Sequence, residues 1–345
     1  MQEERELVQI RRETWTVLCL LTLVIMALFT LLAGTYQVES GNIWSVLTGS
    51  GSALDQHIIF NQRLPRLVAA GAVGASLGLA GAIFQSVSRN PLGSPDVIGF
   101  TTGSASGALF IMLVASSMTS SDSTGLPGIS IGLGAVLGGF LTAAIVLLLT
   151  SHASKNGGTS LGNQMILIGI AVGAMLGSLN DYLLTRADLD AAESAKTWLY
   201  GSLNALTWDV VAGPVLLILF FVPATLLLTR RLRILELGDD LASSLGVPPK
   251  ATLNMLVGAA VLLTALAIML GGPISFVALI APQLATRAWK TPGIALCQSS
   301  LLGATLLEIA DYIAAHALSP FQIPVGLVMG AVGGLYLLIM LIRTR

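Results

Sequence analysis

Long apolar runs alternate with short polar breaks along the whole chain, and the length of the runs fixes what they can form. Apolar stretches cover residues 14–33, 64–87, 96–118, 128–150, 163–185, 210–229, 251–270, 272–289, 294–316 and 324–342. Most are near the roughly 20 residues that a helix needs to cross ~30 Å of hydrocarbon. Their unbroken apolarity lacks the two-residue alternation of barrel strands. The pattern predicts an all-α integral membrane protein with ten transmembrane helices in a single domain, residues 1–345, and an even number of spans puts both termini on one side. The polar start, Met1 to Glu13, precedes a run too long for a signal-peptide core, so the first span is expected to be retained. The polar stretch Gly34 to Asn61 is expected to return the chain to water.

Composition sharpens this picture. With 54% hydrophobic and 10% charged residues and a mean hydropathy of +0.84, the chain lies outside the soluble class, in which about a quarter of residues are charged. A net charge of −1 gives no long-range attraction to nucleic acid. Three glycine ladders, Gly99/Gly103/Gly107, Gly169/Gly173/Gly177 and Gly326/Gly330/Gly334, each follow one helix face. Small residues at this spacing let helix backbones approach in lipid, where no hydrophobic drive joins helices. Cys19 and Cys297 fall in apolar runs without ligand-like spacing, so packing is their expected role.

Positive charge orients the bundle. With the N-terminus inside, Arg5, Arg11, Arg12, Arg89, Lys155, Arg230, Arg231, Arg233, Lys250, Arg287, Lys290, Arg343 and Arg345 lie at inner ends, 13 of the 17 Lys and Arg residues. This is the excess of Lys and Arg expected on the cytoplasmic side of a membrane. The outer exceptions are Arg63, Arg66, Arg186 and Lys196. The most densely charged segment, Arg230 to Lys250, then faces the cytoplasm, because its charges would each cost a few kcal/mol in hydrocarbon. The Gly/Pro-interrupted connections Ser88 to Phe100 and Leu270 to Pro282 follow spans of opposite direction, the arrangement of an inverted repeat.

Candidate chemistry is sparse. G-x-S-x-G occurs at Gly74–Gly78, Gly128–Gly132 and Gly158–Gly162, but none follows a strand, so a nucleophile at Ser76 lacks its strand-turn-helix setting. His57 and His152 are expected in loops and His316 at a span end, with no metal or triad spacing. No lysine follows a glycine, so the chain has no Walker A phosphate cradle, and ATP-driven work would need a separate ATPase. Glu308 and Asp311, three apart, share one helix face. They either serve a proton-coupled secondary transporter or simply sit near the outer end, facing water or capping a loop, the simpler reading, which applies to Asp181 as well.

Four blocks carry a family resemblance. RLPRLVAAGAVGASLGLAGAIFQSVSRNPLGSPDVIGF (Arg63 to Phe100), LELGDDLASSLGV (Leu235 to Val247), GGPISFVALIAPQLATR (Gly271 to Arg287) and QIPVGLVMGAVGGLYLL (Gln322 to Leu338) occur in order. They resemble the permease subunits of ABC importers for iron-siderophores, haem and cobalamin. IFQSVSRNPLGSPDVIGF, YGSLNALTW, LGDD, GPISFVAL and GGLY are most similar to permeases of the ferric enterobactin type, which carry catecholate siderophores. The resemblance implies a type II importer permease fold and a ferric siderophore as cargo; other metal chelates, haem or cobalamin are the nearest alternatives. It implies a second homologous permease forming a heterodimer, two ABC ATPases that hold ATP and Mg, and a periplasmic siderophore-binding protein. No catalytic residue, metal site or cofactor is implied in this chain.

By the same resemblance, Leu235, Leu237, Gly238, Asp239, Asp240, Ala242, Leu245 and Gly246 form the ATPase-coupling segment, as short helices turned at the two glycines. Arg63 and Arg66 dock the binding protein through its acidic side chains. Three positions depart from the family pattern: Gln283 follows Pro282 where His is frequent, Ala315 stands where an Arg is frequent, and Leu335 where a Pro is frequent.

Overall fold

The computed structural model describes residues 2–32, 52–115, 127–154, 161–291, 293, 295–318 and 321–343. Apart from one isolated bridge between Leu318 and Phe321, the described structure is helical. Helices α1 (Gln2–Leu32), α2 (Ala53–His57) and α3 (Leu64–Ser88) open the chain, with a π-helical turn, Ile58–Arg63, joining the last two. Next come α4 (Phe100–Phe110, continued by a π-helical turn Ile111–Ala115), α5 (Pro127–Ser154), α6 (Leu161–Arg186), α7 (Leu189–Leu199) and α8 (Trp208–Leu226). Two short helices, α9 (Thr229–Glu236) and α10 (Asp239–Ser244), precede α11 (Pro249–Gly271), α12 (Val277–Trp289), α13 (Leu296–His316) and α14 (Val325–Arg343).

Every expected span has a helix, but among the described residues only seven are long and apolar enough to cross a membrane. Seven of the ten expected spans meet that measure, and α4, α12 and α13 do not. The 13 residues of α12 rise only about 20 Å, and α13 carries Glu308 and Asp311, both buried. Part of the stretch expected in water, from Ala53 onward, is helical and runs on into α3; residues 33–51 lie outside the described residues. His57 ends α2 and His152 lies in the last turn of α5, so neither sits in a loop. His316 closes α13 as expected. Lys155 and Arg345 lie outside the described residues.

The core is organised on α3. Its central turns are buried, and it meets α13 almost backbone to backbone. A Cβ on Gly74 would strike Gly303 O, one on Gly303 would strike Gly74 O, and one on Gly78 would strike Ser299 O. Ser300 Oγ donates across the seam to Ala75 O at 3.1 Å. Only glycine allows so close an approach, and with no hydrophobic drive between helices in lipid it supplies dispersion contact along the seam. The first G-x-S-x-G is thus a packing motif in mid-helix, with Ser76 fully buried. Gly132 of the second faces Met269, and most of the third lies outside the described residues.

The ladders behave alike only in part. Gly99, Gly103 and Gly107 take α4 onto Gly173 of α6 and onto Thr142 and Gly138 of α5. Gly169 and Gly173 return the first of these contacts, and Gly326 lies against Tyr200 O. Gly177, Gly330 and Gly334 face open space. The outer surfaces of α5, α8 and α14 are apolar, with Leu137, Phe220 and Leu341 about two-thirds exposed or more, as a lipid-facing surface requires.

The two interrupted connections meet each other. Arg89 caps α3 in the left-handed region (φ 50°), Gly99 opens α4 at φ 82°, and Phe276 opens α12 at φ 69°. Asp96 Oδ2 accepts from Phe276 N–H at 3.3 Å while Oδ1 accepts from Thr101 Oγ at 2.6 Å. The carboxylate therefore serves both helix starts, where exposed N–H groups and the helix dipole favour an anion.

Candidate functional site

Helix polarity places the functional candidates at two opposite ends of the bundle. At one end, Arg11 Nε donates to Ala288 O at 3.0 Å, Arg12 Nε to Trp289 O at 3.3 Å, and Trp289 Nε1 to Thr16 Oγ at 2.9 Å. These bonds set the start of α1 beside the end of α12. Helices α9 and α10 and the end of α14 share this end, because Glu236, Arg287 and Met340 line one cavity there, of about 470 Å³.

The segment from α9 to α10 is built on its glycines. Gly238 has φ 111° and ψ 156° and Gly246 has φ 79°, conformations that only glycine adopts without strain. Pro248 and Pro249 then start α11, Pro being tolerated in a first turn, where the N–H has no helical partner. Of the apolar residues expected to form the coupling surface, Leu235 and Ala242 turn inward: Leu235 packs on the core and Ala242 is fully buried. Leu237 and Leu245 are 60% and 61% exposed. Leu241, which sequence reasoning omitted, lies between them at 56%, and its signal was the i, i+4, i+8 spacing. Asp239 and Asp240 occupy the first turn of α10 and are exposed. Asp239 reaches Arg89 at 3.6 Å, with both side chains more than half exposed, a solvated pair of small energetic weight.

Behind this segment runs a strip of polar bonds that joins residues from all four of the blocks that carry the family resemblance. Ser86 Oγ donates to Glu236 Oε1 at 3.0 Å, and Gln85 Nε2 donates to Leu279 O at 3.0 Å. Gln283 Nε2 donates to Pro91 O at 2.7 Å, and Tyr336 Oη donates to Gln283 Oε1 at 3.0 Å. Gln283, a departure from the family pattern, thus joins three elements.

At the opposite end, Arg63 Nη1 donates to Leu31 O. Arg66 is held by a bidentate pair, Nε to Asp311 Oδ2 at 2.7 Å and Nη2 to Asp311 Oδ1 at 2.9 Å, while Nη1 donates to Gln322 Oε1 at 3.0 Å. This is the fork geometry that distinguishes Arg from Lys. Glu308 lies one turn along α13, buried, with Oε1 beside Gly71 and Oε2 without a hydrogen-bond partner. The water-facing form of the simpler expectation is overturned. Asp311 is buried because Arg66 neutralises it, and Glu308 because Gly71 leaves it room. Asp181 is exposed, as expected. Among the described residues no group of His, Cys, Asp and Glu could hold a metal ion, and Cys19 is buried in the α1–α12–α13 contact.

A multi-pass helical bundle with a charged, leucine-striped segment at one end defines a helical membrane protein. More narrowly, the chain belongs to the FecCD transport family, whose pattern matches residues 21–343. It is 41% identical to the ferric enterobactin transport system permease protein FepG of Escherichia coli K12, over 93% of each chain. It is 32% identical to the iron(3+)-hydroxamate import system permease protein FhuG of Bacillus subtilis, over 94% of this chain and 95% of that one. Its fold matches an inward-facing metal-chelate type ABC transporter with a TM-score of 0.81 and 27% identity, over 95% of this chain and 98% of the other. The protein is accordingly the permease of an ABC importer for iron-siderophore or metal-chelate cargo. It carries no cofactor of its own, and its class implies separate ATPase and binding-protein partners.

Proposed function

We propose that this permease carries a ferric catecholate siderophore of the enterobactin type across the cytoplasmic membrane, as one half of a heterodimer with a homologous permease. Ten helices form one type II domain with both termini in the cytoplasm. Two ATPases seat on the α9–α10 segment, and a periplasmic binding protein delivers cargo at the end that holds Arg63 and Arg66. The observation that carries this reading is the stripe Leu237, Leu241 and Leu245, exposed at the charged end and bounded by Gly238 and Gly246. Three leucines outside hydrocarbon call for a protein cover, and a short helix fits a groove.

At the other end Arg66 is already neutralised by Asp311, so docking through it exchanges one carboxylate for another from the binding protein. Arg63, at the π-helical turn, is the first contact. The faces of α6 and α14 with Gly177, Gly330 and Gly334 open are where the second permease packs.

The test is reconstitution with both permeases, the ATPase and the binding protein in liposomes, followed by uptake of radio-iron on defined chelates. Catecholate uptake that needs ATP hydrolysis and survives a protonophore is expected. Uptake that persists without the ATPase and collapses with a protonophore would mark a secondary transporter using Glu308 and Asp311. Preference for haem, cobalamin or a hydroxamate would move the cargo within the family.

A further inference from the structure

The coupling segment must act on the membrane helices through something stiffer than a solvated loop. Leu232 and Leu235 pack it against the bundle, but apolar contact is non-directional. The Arg89–Asp239 pair is too exposed to transmit a displacement. The Ser86–Glu236 bond differs, since Ser86 is buried, although Glu236 lies at the surface, and the bond links the last residue of α9 to the last turn of α3 at 3.0 Å. Across the segment, Glu236 Oε2 abuts Gly293, where an added Cβ would come within 2.7 Å and φ is 76°. Glu236 is therefore seated between two elements.

From Ser86 the path stays stiff. Arg89 N–H bonds Ser86 O at 3.1 Å, Asn90 N–H bonds Gln85 O at 3.2 Å, and Asn90 Oδ1 accepts from Leu92 N–H at 2.9 Å. This capped turn delivers Pro91 O to Gln283. Gln283 is only 5% exposed, and each end of its amide is bonded to a different element, Pro91 and Tyr336. A buried amide satisfied at both ends resists separation from either partner, because an orphaned group cannot turn to water.

We infer that Glu236 and Gln283 are positioning residues for energy coupling: Glu236 hands movement of the docked segment to the end of α3 through Ser86, and Gln283 hands movement of the following turn to α14 through Tyr336. The inference rests on the coupling role proposed for α9–α10. It gives Gln283 a use that a single donor or a single acceptor could not fill.

Two one-atom deletions test it without disturbing packing, Ser86→Ala and Tyr336→Phe, read as uptake per ATP hydrolysed in the reconstituted complex with the chelate that the parent transports best. Each is expected to lower that ratio about five- to tenfold, the range set by one buried or charge-assisted hydrogen bond. If both bonds belong to one path, the double variant is no worse than the weaker single. Ratios unchanged in both singles, or a double loss equal to the product of the two, would overturn the inference. Gly246→Val separates this from failure of the coupling reading. If it leaves ATPase association and uptake intact, the segment does not couple at all. If it abolishes them while the hydroxyl deletions are silent, only the relay is wrong.

Discussion

The Arg66–Asp311 pair offers the most direct measure of how the far end of the bundle is held. Its side chains are 13% and 4% exposed, so the charges have left water and depend on each other. Removing one partner of such a pair costs about 3–5 kcal/mol, because the other is stranded, whereas removing both costs far less. Arg66 keeps a second acceptor in Gln322, which places Asp311→Asn near the lower end, ~3 kcal/mol. Both carboxylate oxygens of Asp311 accept from Arg66, and Glu308 stands one turn away, so Arg66→Gln belongs near ~5 kcal/mol. The double variant Arg66→Gln/Asp311→Asn is expected to cost less than either single, which puts it more than about 5 kcal/mol below the sum of the two. Reversible unfolding in mixed micelles, followed by tryptophan fluorescence, measures all three. A double variant equal to the sum would show that the pair is not coupled and that Asp311 is buried for another reason.

Other consequences are testable in the same preparation. Gly303→Val should prevent folding, since its side chain must enter the carbonyl of Gly74; loss of folded protein on expression checks this, and normal yield would refute the close seam. Gly330→Val, at a position where an added Cβ meets no described atom within 4 Å, should change the stability of the isolated subunit by less than about 0.5 kcal/mol and lower the yield of paired permeases on co-purification. Gly238→Val, at φ 111°, should cost at least about 1–2 kcal/mol of local backbone strain and weaken ATPase association in pull-down. Ser76→Ala should leave uptake unchanged and the parent protein unlabelled by a fluorophosphonate; labelling that disappears in the variant would restore a nucleophile at that site.

Much of the architecture was written in local chemistry. Apolar run length located a helix at each of the ten expected spans, because hydrocarbon admits no unpaired backbone and so permits few alternatives, but it missed α2 and α7. The turns of the α9–α10 segment were legible for a similar reason: Gly238 and Gly246 adopt backbone angles closed to other residues. Spacing could not say which face of each helix meets which neighbour. It therefore left Gly74 and Gly78 looking like a nucleophile motif, and it could not separate Gly326, which packs, from Gly330, which does not.

The largest gain from tertiary structure is in the polar residues, whose partners lie far along the chain. Arg66 and Asp311, and Pro91 and Gln283, are brought into contact only because α3 is fixed against α12 and α13. The same packing turned two carboxylates expected in water into buried groups, and shortened α12 below the length of a span. Hydrophobic length is a property of consecutive residues, so the sequence by itself determined that this chain is a helical membrane protein with a charged segment outside the lipid. Hydrogen-bond partnership and backbone proximity are properties of pairs distant in sequence, so only the fold decided which charges are sealed, which glycines are seams, and how the charged segment is tied to the helices behind it.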